Sequence, residues 1–254
     1  MRYEMIQQVI NTMEQANYDF SLETQNVKNN EKKLANNELT LSDHVKTMVY
    51  AQLSNNRPWE PIAQNSSTIN DIFCEFNINR LKQCEAKDLI EKIKEIKCGN
   101  RQIYNQLTYL KDNIETLEKI EKNENGINQY FMNTDIVELV KSLSLPDREY
   151  KLRYMGVALV CEYLKNVGVD VVKPDSLIRR IIGRLGYSKK IPADEWETIR
   201  ICKEIGEEYK ISQLTVDTIL WQYCAKEKFQ VCTSDPKCER CGVTKCPNRK
   251  KSNN

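Results

Sequence analysis

Apolar positions along the chain recur at helical spacing, and nowhere do they alternate for the length of a strand. In LTLSDHVKTMVYAQLS (39–54), Val45, Met48, Val49 and Gln52 share one helical face, and Ser42 and Asp43 are candidate caps. NNRPWEP (55–61) carries Pro58 and Pro61, which end that helix in a loop. TINDIFCEF, AKDLIEKIKEI and RQIYNQLTYLKDNIETLEKI read as three further helices, and NENG (123–126) as a turn. TDIVELVKSLSL (134–145) is a helix with Thr134 as its cap and Pro146 just past its end. EYKLRYMGVALVCEYLKNVG (149–168) is an apolar helical stretch interrupted early by Gly156. SLIRRIIGRLG (176–186) follows a Lys-Pro-Asp, and DEWETIRICKEIGEEYK and TVDTILWQYCAKEKF add two more helices. Residues 1–35 contain a helical stretch and the polar run NVKNNEKKLANN, and the tail CTSDPKCERCGVTKCPNRKKSNN has loop composition. There is no internal repeat, and the expected fold class is all-α.

Composition agrees with this pattern. The 8 Gly and 7 Pro among 254 residues come to roughly 6%, half the usual share, which argues against turn-rich sandwiches and barrels. With 40% apolar residues the chain can build a sizeable core. No window is long and apolar enough for a membrane span, and MRYEMIQQVI does not resemble a signal peptide, so no membrane partner is expected. Cys74, Cys84, Cys98, Cys161, Cys202 and Cys224 are scattered among apolar neighbours and read as reduced thiols of a cytoplasmic protein.

The net charge of +2 conceals a local excess. Between 150 and 191 lie nine cations (Lys151, Arg153, Lys165, Lys173, Arg179, Arg180, Arg184, Lys189, Lys190) and three anions (Glu162, Asp170, Asp175), a balance of +6. Nucleic-acid backbones attract such a patch, although a solvated helix face has the same composition.

Cys232, Cys238, Cys241 and Cys246 form C-x5-C-x2-C-x4-C in a loop with few apolar residues. Such a loop folds around a metal centre that supplies the folding energy. Structural Zn2+ on four thiolates and an iron–sulfur cluster both fit. One C-x2-C knuckle with an outlying Cys on each side, rather than two knuckles, favours iron–sulfur.

LRYMGVALVCEYLKNVG followed by VKPDSLIRRIIGRLG, and then by the four-Cys loop, resembles the helix–hairpin–helix base-excision DNA glycosylases related to endonuclease III. In that superfamily a Leu-Pro-Gly-x-Gly-type hairpin opens a helix, a catalytic Asp begins the next one, and a cluster loop closes the chain. Here Leu152-Arg153-Tyr154-Met155-Gly156 matches the hairpin and Asp175 the Asp. VYAQLSNN (49–56) is similar to the segment around a Gln that enters the duplex, and IKEIKCGNRQIYNQL (93–107) to a helix pair of the family. The resemblance runs from about residue 39 to 246 with the elements in family order.

The resemblance implies a two-lobed all-α fold, with a helical barrel at 39–150 and a discontinuous lobe of 1–38 plus 151–254. It implies a [4Fe-4S] cluster (Zn2+ as the alternative) on Cys232, Cys238, Cys241 and Cys246. It also implies a monomer, cytoplasmic and nucleoid-associated, acting on double-stranded DNA that contains a damaged or modified base. A flipped base is needed because the glycosidic bond is unreachable within the stack, and Asp175 would stabilise the oxocarbenium-like sugar or activate water. The implied DNA contacts are Arg153, Met155 and Gly156 of the hairpin, Arg179, and the wedge candidates Gln52, Asn55 and Arg57. Trp59 and Trp221 are candidates to stack on the extruded base. His44, the one histidine, reads as structural.

The departures narrow the expectation. Arg153-Tyr154 replaces Pro-Gly, which predicts a looser turn. Ala158 stands where bifunctional members carry a Schiff-base Lys, so hydrolysis without lyase chemistry is expected. Leu177 replaces the His after the Asp, and Met48 stands near the Glu of adenine-specific relatives. Both outer loops of the cluster motif are one residue shorter than the family's C-x6-C-x2-C-x5-C. A DNA-binding protein without excision activity, and a zinc-dependent interaction module, remain as alternatives, and the substrate base stays open.

Overall fold

The computed structural model describes residues 2–18, 21–226 and 228–250. Among the described residues every regular element is helical. In chain order these are α1 (Glu4–Gln15), α2 (Ser21–Ala35), α3 (Leu41–Leu53), α4 (Glu60–Gln64), α5 (Ser66–Ile72), α6 (Ile78–Leu81), α7 (Ala86–Glu95) and α8 (Ile103–Thr108). They continue with α9 (Leu110–Asn123), α10 (Ile127–Asn133), α11 (Ile136–Ser144), α12 (Val157–Val167), α13 (Ser176–Arg184), α14 (Glu195–Tyr209) and α15 (Gln213–Cys224). The all-α expectation therefore holds. None of these helices is long and apolar enough to cross a membrane.

The chain divides into two compact units, residues 29–169 and residues 1–28 with 170–254. The sequence reading put the passage between lobes at 150/151, whereas here the polypeptide leaves the continuous unit near 169/170. The cause is α12, which buries Val157, Val160, Leu164 and Val167 and packs on α3 and α11, keeping it with residues 29–150. Gly168 ends α12 at φ +102°, and a Cβ there would lie 2.3 Å from Glu31 N, so only glycine fits.

In the continuous unit α3 is central, packed against α8, α9 and α12. Its start is a capping box formed by Thr40 and Asp43, while Ser42, expected as a cap, donates to the Phe76 carbonyl instead (2.8 Å). Similarly α11 is capped by Asp135, one residue beyond Thr134. His44 lies fully inside this core. Asn128 Nδ2 donates to Asn37 Oδ1 and the Leu39 carbonyl, which turns Asn128 Oδ1 toward His44 Nε2 at 2.8 Å. The imidazole proton is therefore on Nε2, and Nδ1 accepts from the Tyr163 hydroxyl at 2.8 Å. His44 is structural, as its sequence context implied.

Burial holds His44 below its ordinary value, so the folded state keeps it neutral. Above the unfolded value of about 6.5 neither state binds the proton, and below it only the unfolded chain does. Stability is expected to fall below pH 6.5 by up to about 1.4 kcal/mol per pH unit until the folded value is reached. Urea titrations between pH 7.5 and 5 check this, with His44→Asn removing the step attributable to the imidazole.

In the discontinuous unit α15 is buried on nearly all sides and is packed by α1, α13 and α14. Residues 170–175, which have no helical structure, are pinned to its first turns. Asp170 Oδ1 accepts from Leu214 N at 2.9 Å, and Asp217 Oδ1 accepts from Lys173 N at 2.8 Å. This anchored strap delivers the chain to α13.

Candidate active site and cysteine loop

Asp175 is the N-cap of α13. Its Oδ1 accepts from the backbone N–H groups of Leu177 (2.8 Å) and Ile178 (3.0 Å), and the side chain has no further partner among the described residues. The cap fixes the carboxyl group, and the helix N-terminus favours negative charge there. The residue is half-buried.

The hairpin is held more firmly than its non-Pro-Gly sequence predicts. Asn113, fully buried on α9, clamps Arg153 at both backbone groups: Arg153 N donates to Asn113 Oδ1 at 2.5 Å, and Asn113 Nδ2 donates to the Arg153 carbonyl at 3.1 Å. Lys151 Nζ donates to the Met155 carbonyl at 2.5 Å. Burial, aided by the Arg153 charge, lowers this amine to about 8. Tyr154 takes φ +55° at the position where the family has glycine. Arg153, Tyr154 and Gly156 are exposed, and a Cβ on Gly156 would meet nothing within 4 Å. Met155 is the exception among the hairpin contacts, because its side chain is completely buried and only its backbone faces the turn.

Several implied DNA contacts are engaged within the chain. Gln52 is 0% exposed, and both its amide atoms lack a hydrogen-bond partner among the described residues. It lies on the face shared with Val45, Met48 and Val49, and that face is the core, so in this conformation it is no exposed wedge. An orphaned buried amide is costly. Gln52→Met is therefore expected to raise the unfolding free energy by about 1–3 kcal/mol, read from urea denaturation. A loss of stability would show that the amide is paired in solution. Arg57 is also committed, since its guanidinium donates to the carbonyls of Lys97 (2.7 Å) and Gly99 in the turn after α7. Arg179 donates from Nε to the Ala193 carbonyl at 2.7 Å and faces Glu195 at 3.8 Å, which holds the loop before α14 rather than leaving a free cation. Asn55 is half-buried beside the exposed Asn56 and remains a wedge candidate. Trp59 is 54% exposed at the start of α4, and Trp221 is half-buried on α15.

The four loop cysteines line one cavity with Ile181, Arg184, Tyr223 and Val243. A 3-10 turn at Cys238–Arg240 brings Cys238 and Cys241 to the same side. Three sulfurs receive donors: Arg184 Nη1 to Cys232 (3.5 Å), Tyr223 hydroxyl to Cys241 (3.2 Å) and Lys250 N to Cys238 (3.4 Å). A hydrogen bond from Cys224, opposed by burial and reinforced by Arg184 and Arg180, lowers the Cys232 thiol to about 6, while burial raises Cys246. Arg184 also straps the loop through the carbonyls of Thr233 (2.5 Å) and Ser234 (3.1 Å). On the other side the loop rests on α1, where a Cβ at Gly242 would lie 2.1 Å from Thr12 Oγ1. Among the described residues no three His, Cys, Asp or Glu side chains converge at metal-ligating distance. The donor set itself, four thiols on one cavity with N–H and O–H groups aimed at the sulfurs, fits a thiolate-bound centre.

Sequence reasoning missed Asn113, Tyr223 and Asp217, and it named Arg184 only as a cation of the local patch. Asp217 carried a usable signal, a lone charge inside the apolar run LTVDTILW, which demands a partner. Compared with protein-family models, curated proteins and solved structures, the chain matches none.

Proposed function

We propose that the protein is a monofunctional DNA glycosylase of the helix–hairpin–helix, endonuclease III-like fold, which hydrolyses the N-glycosidic bond of a damaged or modified base in duplex DNA. The observation that carries this reading is Asp175. Its carboxyl group is fixed by two helix N–H groups, stands on a strap pinned to α15, and has one oxygen with no partner among the described residues. That arrangement suits electrostatic stabilisation of a cationic sugar, or activation of a water, at a position set by backbone rather than by a mobile side chain. The exposure of Arg153, Tyr154 and Gly156 in the turn supports a role in holding the DNA backbone.

Ala158 offers no amine, so the reading has no Schiff-base step at that position. Cys232, Cys238, Cys241 and Cys246 would hold the [4Fe-4S] cluster. When bound, the centre cross-links the loop and takes no part in hydrolysis. Zn2+ on the same thiols is the alternative, and visible absorbance of fresh protein separates the two. The experiment is mass-spectrometric detection of free base from a panel of duplexes carrying oxidised, alkylated, deaminated or deliberately modified bases, with Asp175→Asn as the blank. Release by the native chain alone supports the proposal. DNA binding without release from any duplex favours a non-catalytic DNA-binding protein.

A further inference from the structure

Tyr154 combines a left-handed backbone with an exposed aromatic side chain. Its backbone is left-handed, at φ +55°, a conformation that bulky residues avoid and glycine adopts freely. Its ring is nevertheless presented outward, 45% exposed, although aromatic rings usually seek the core. The surroundings hold it there. The Tyr154 ring lies 5.2 Å from that of Tyr109 at 32°, and the Arg153 guanidinium sits 5.8 Å over the same Tyr109 ring. Asn113 fixes the intervening backbone from both sides, and Lys151 closes the turn onto Met155. The result is an exposed aromatic side chain, preset by a braced turn, with the exposed Arg153 next to it in the chain.

An exposed aromatic side chain that leans on a second ring, with an exposed arginine next to it in the turn, matches one chemistry well, a base whose π-face is uncovered and whose phosphate lies alongside. We propose that Tyr154, supported by Tyr109 and Arg153, is a stacking platform for an unpaired nucleotide of the bound DNA. This assignment rests on the reading that the protein binds DNA. The left-handed backbone that the braced turn imposes on Tyr154 fits this use, because residues held in unfavourable backbone regions cluster at ligand sites. A fully paired duplex buries its base faces internally and offers the platform nothing, so a strand with an unpaired base is the preferred ligand.

The test uses the full chain and fluorescence anisotropy with three probes: a fully paired duplex, the same duplex with one bulged nucleotide, and the single strand. The native protein is expected to bind the bulged duplex about 10-fold tighter than the paired one, the effect of one stacked base. Tyr154→Gly should abolish that preference while keeping a Tm equal to or above the native value, because glycine accepts the left-handed backbone. Tyr154→Phe should retain the preference. Undiminished preference in Tyr154→Gly overturns the platform and leaves the glycosylase reading standing. Preference lost in Tyr154→Gly without base release from any duplex sustains the platform and removes the glycosylase reading. Failure of the native chain to bind any of the three probes overturns the platform, and base release from the modified duplexes then decides the glycosylase reading separately.

Discussion

Asp175→Asn is expected to fold like the native chain and to release no measurable base. The two halves of that expectation come from one geometry. Oδ1 of Asp175 accepts from Leu177 N and Ile178 N, and an asparagine carbonyl can accept both bonds, since Asn and Asp are about equally good N-caps. Stability should therefore change by less than about 1 kcal/mol, whereas Asp175→Ala, which loses the cap, should cost about 1 kcal/mol. The negative charge disappears in both variants. Loss of a general base or charge of this kind lowers rates by about 100- to 10,000-fold, so single-turnover base release compared among the three chains separates cap from catalyst. Asn activity within a few-fold of native would remove Asp175 from the mechanism.

The second large effect concerns Cys241→Ser. Cys241 takes the Tyr223 hydroxyl bond and shares its 3-10 turn with Cys238, so its loss removes a proposed ligand from the middle of the motif. Beyond Val231 and Val243, few buried apolar side chains hold residues 231–250, and the backbone entropy of ordering that length must be met by a cross-link. The variant is expected to lose visible absorbance and bound metal, to become cleavable by trypsin within 237–250, and to melt on the order of 10 °C lower, given about 2–4 °C per kcal/mol for a chain of this size. Tyr223→Phe should keep the metal and shift only its spectrum. Full metal content and unchanged proteolysis in Cys241→Ser would exclude this loop as a metal site.

How much of this could be read from the chain depends on the distance over which each residue acts. Helix positions follow from local spacing, and even the caps err by only a residue or two: Thr40 in place of Ser42, Asp135 in place of Thr134. The burial of Gln52 was present in the pattern too, since it shares the stripe of Val45, Met48 and Val49. The likeness to a DNA-inserting Gln concealed that plain consequence. Arg57 and Arg179 were less legible, because long cations find carbonyl partners through the tertiary fold, 40 residues along the chain for Lys97 and 14 for Ala193. The same holds for Asn113 and the hairpin it clamps. Nor does anything local reveal that Tyr154 adopts a glycine-like backbone, because only the braced turn imposes it.

One helix joins both ends of the proposed chemistry. The N-terminus of α13 carries Asp175, and its last residue, Arg184, straps the cysteine loop and accepts the Cys246 thiol at its carbonyl (3.3 Å). Nine residues of helix, about 13 Å at 1.5 Å per residue, separate the two. A helix of that length is stiff, so under the proposed function the cysteine loop bears on one end of the element whose other end carries the carboxyl group, where the strap also holds it. Under the proposed function, damage to the cysteine loop is then expected to lower base release under conditions in which the helices remain folded.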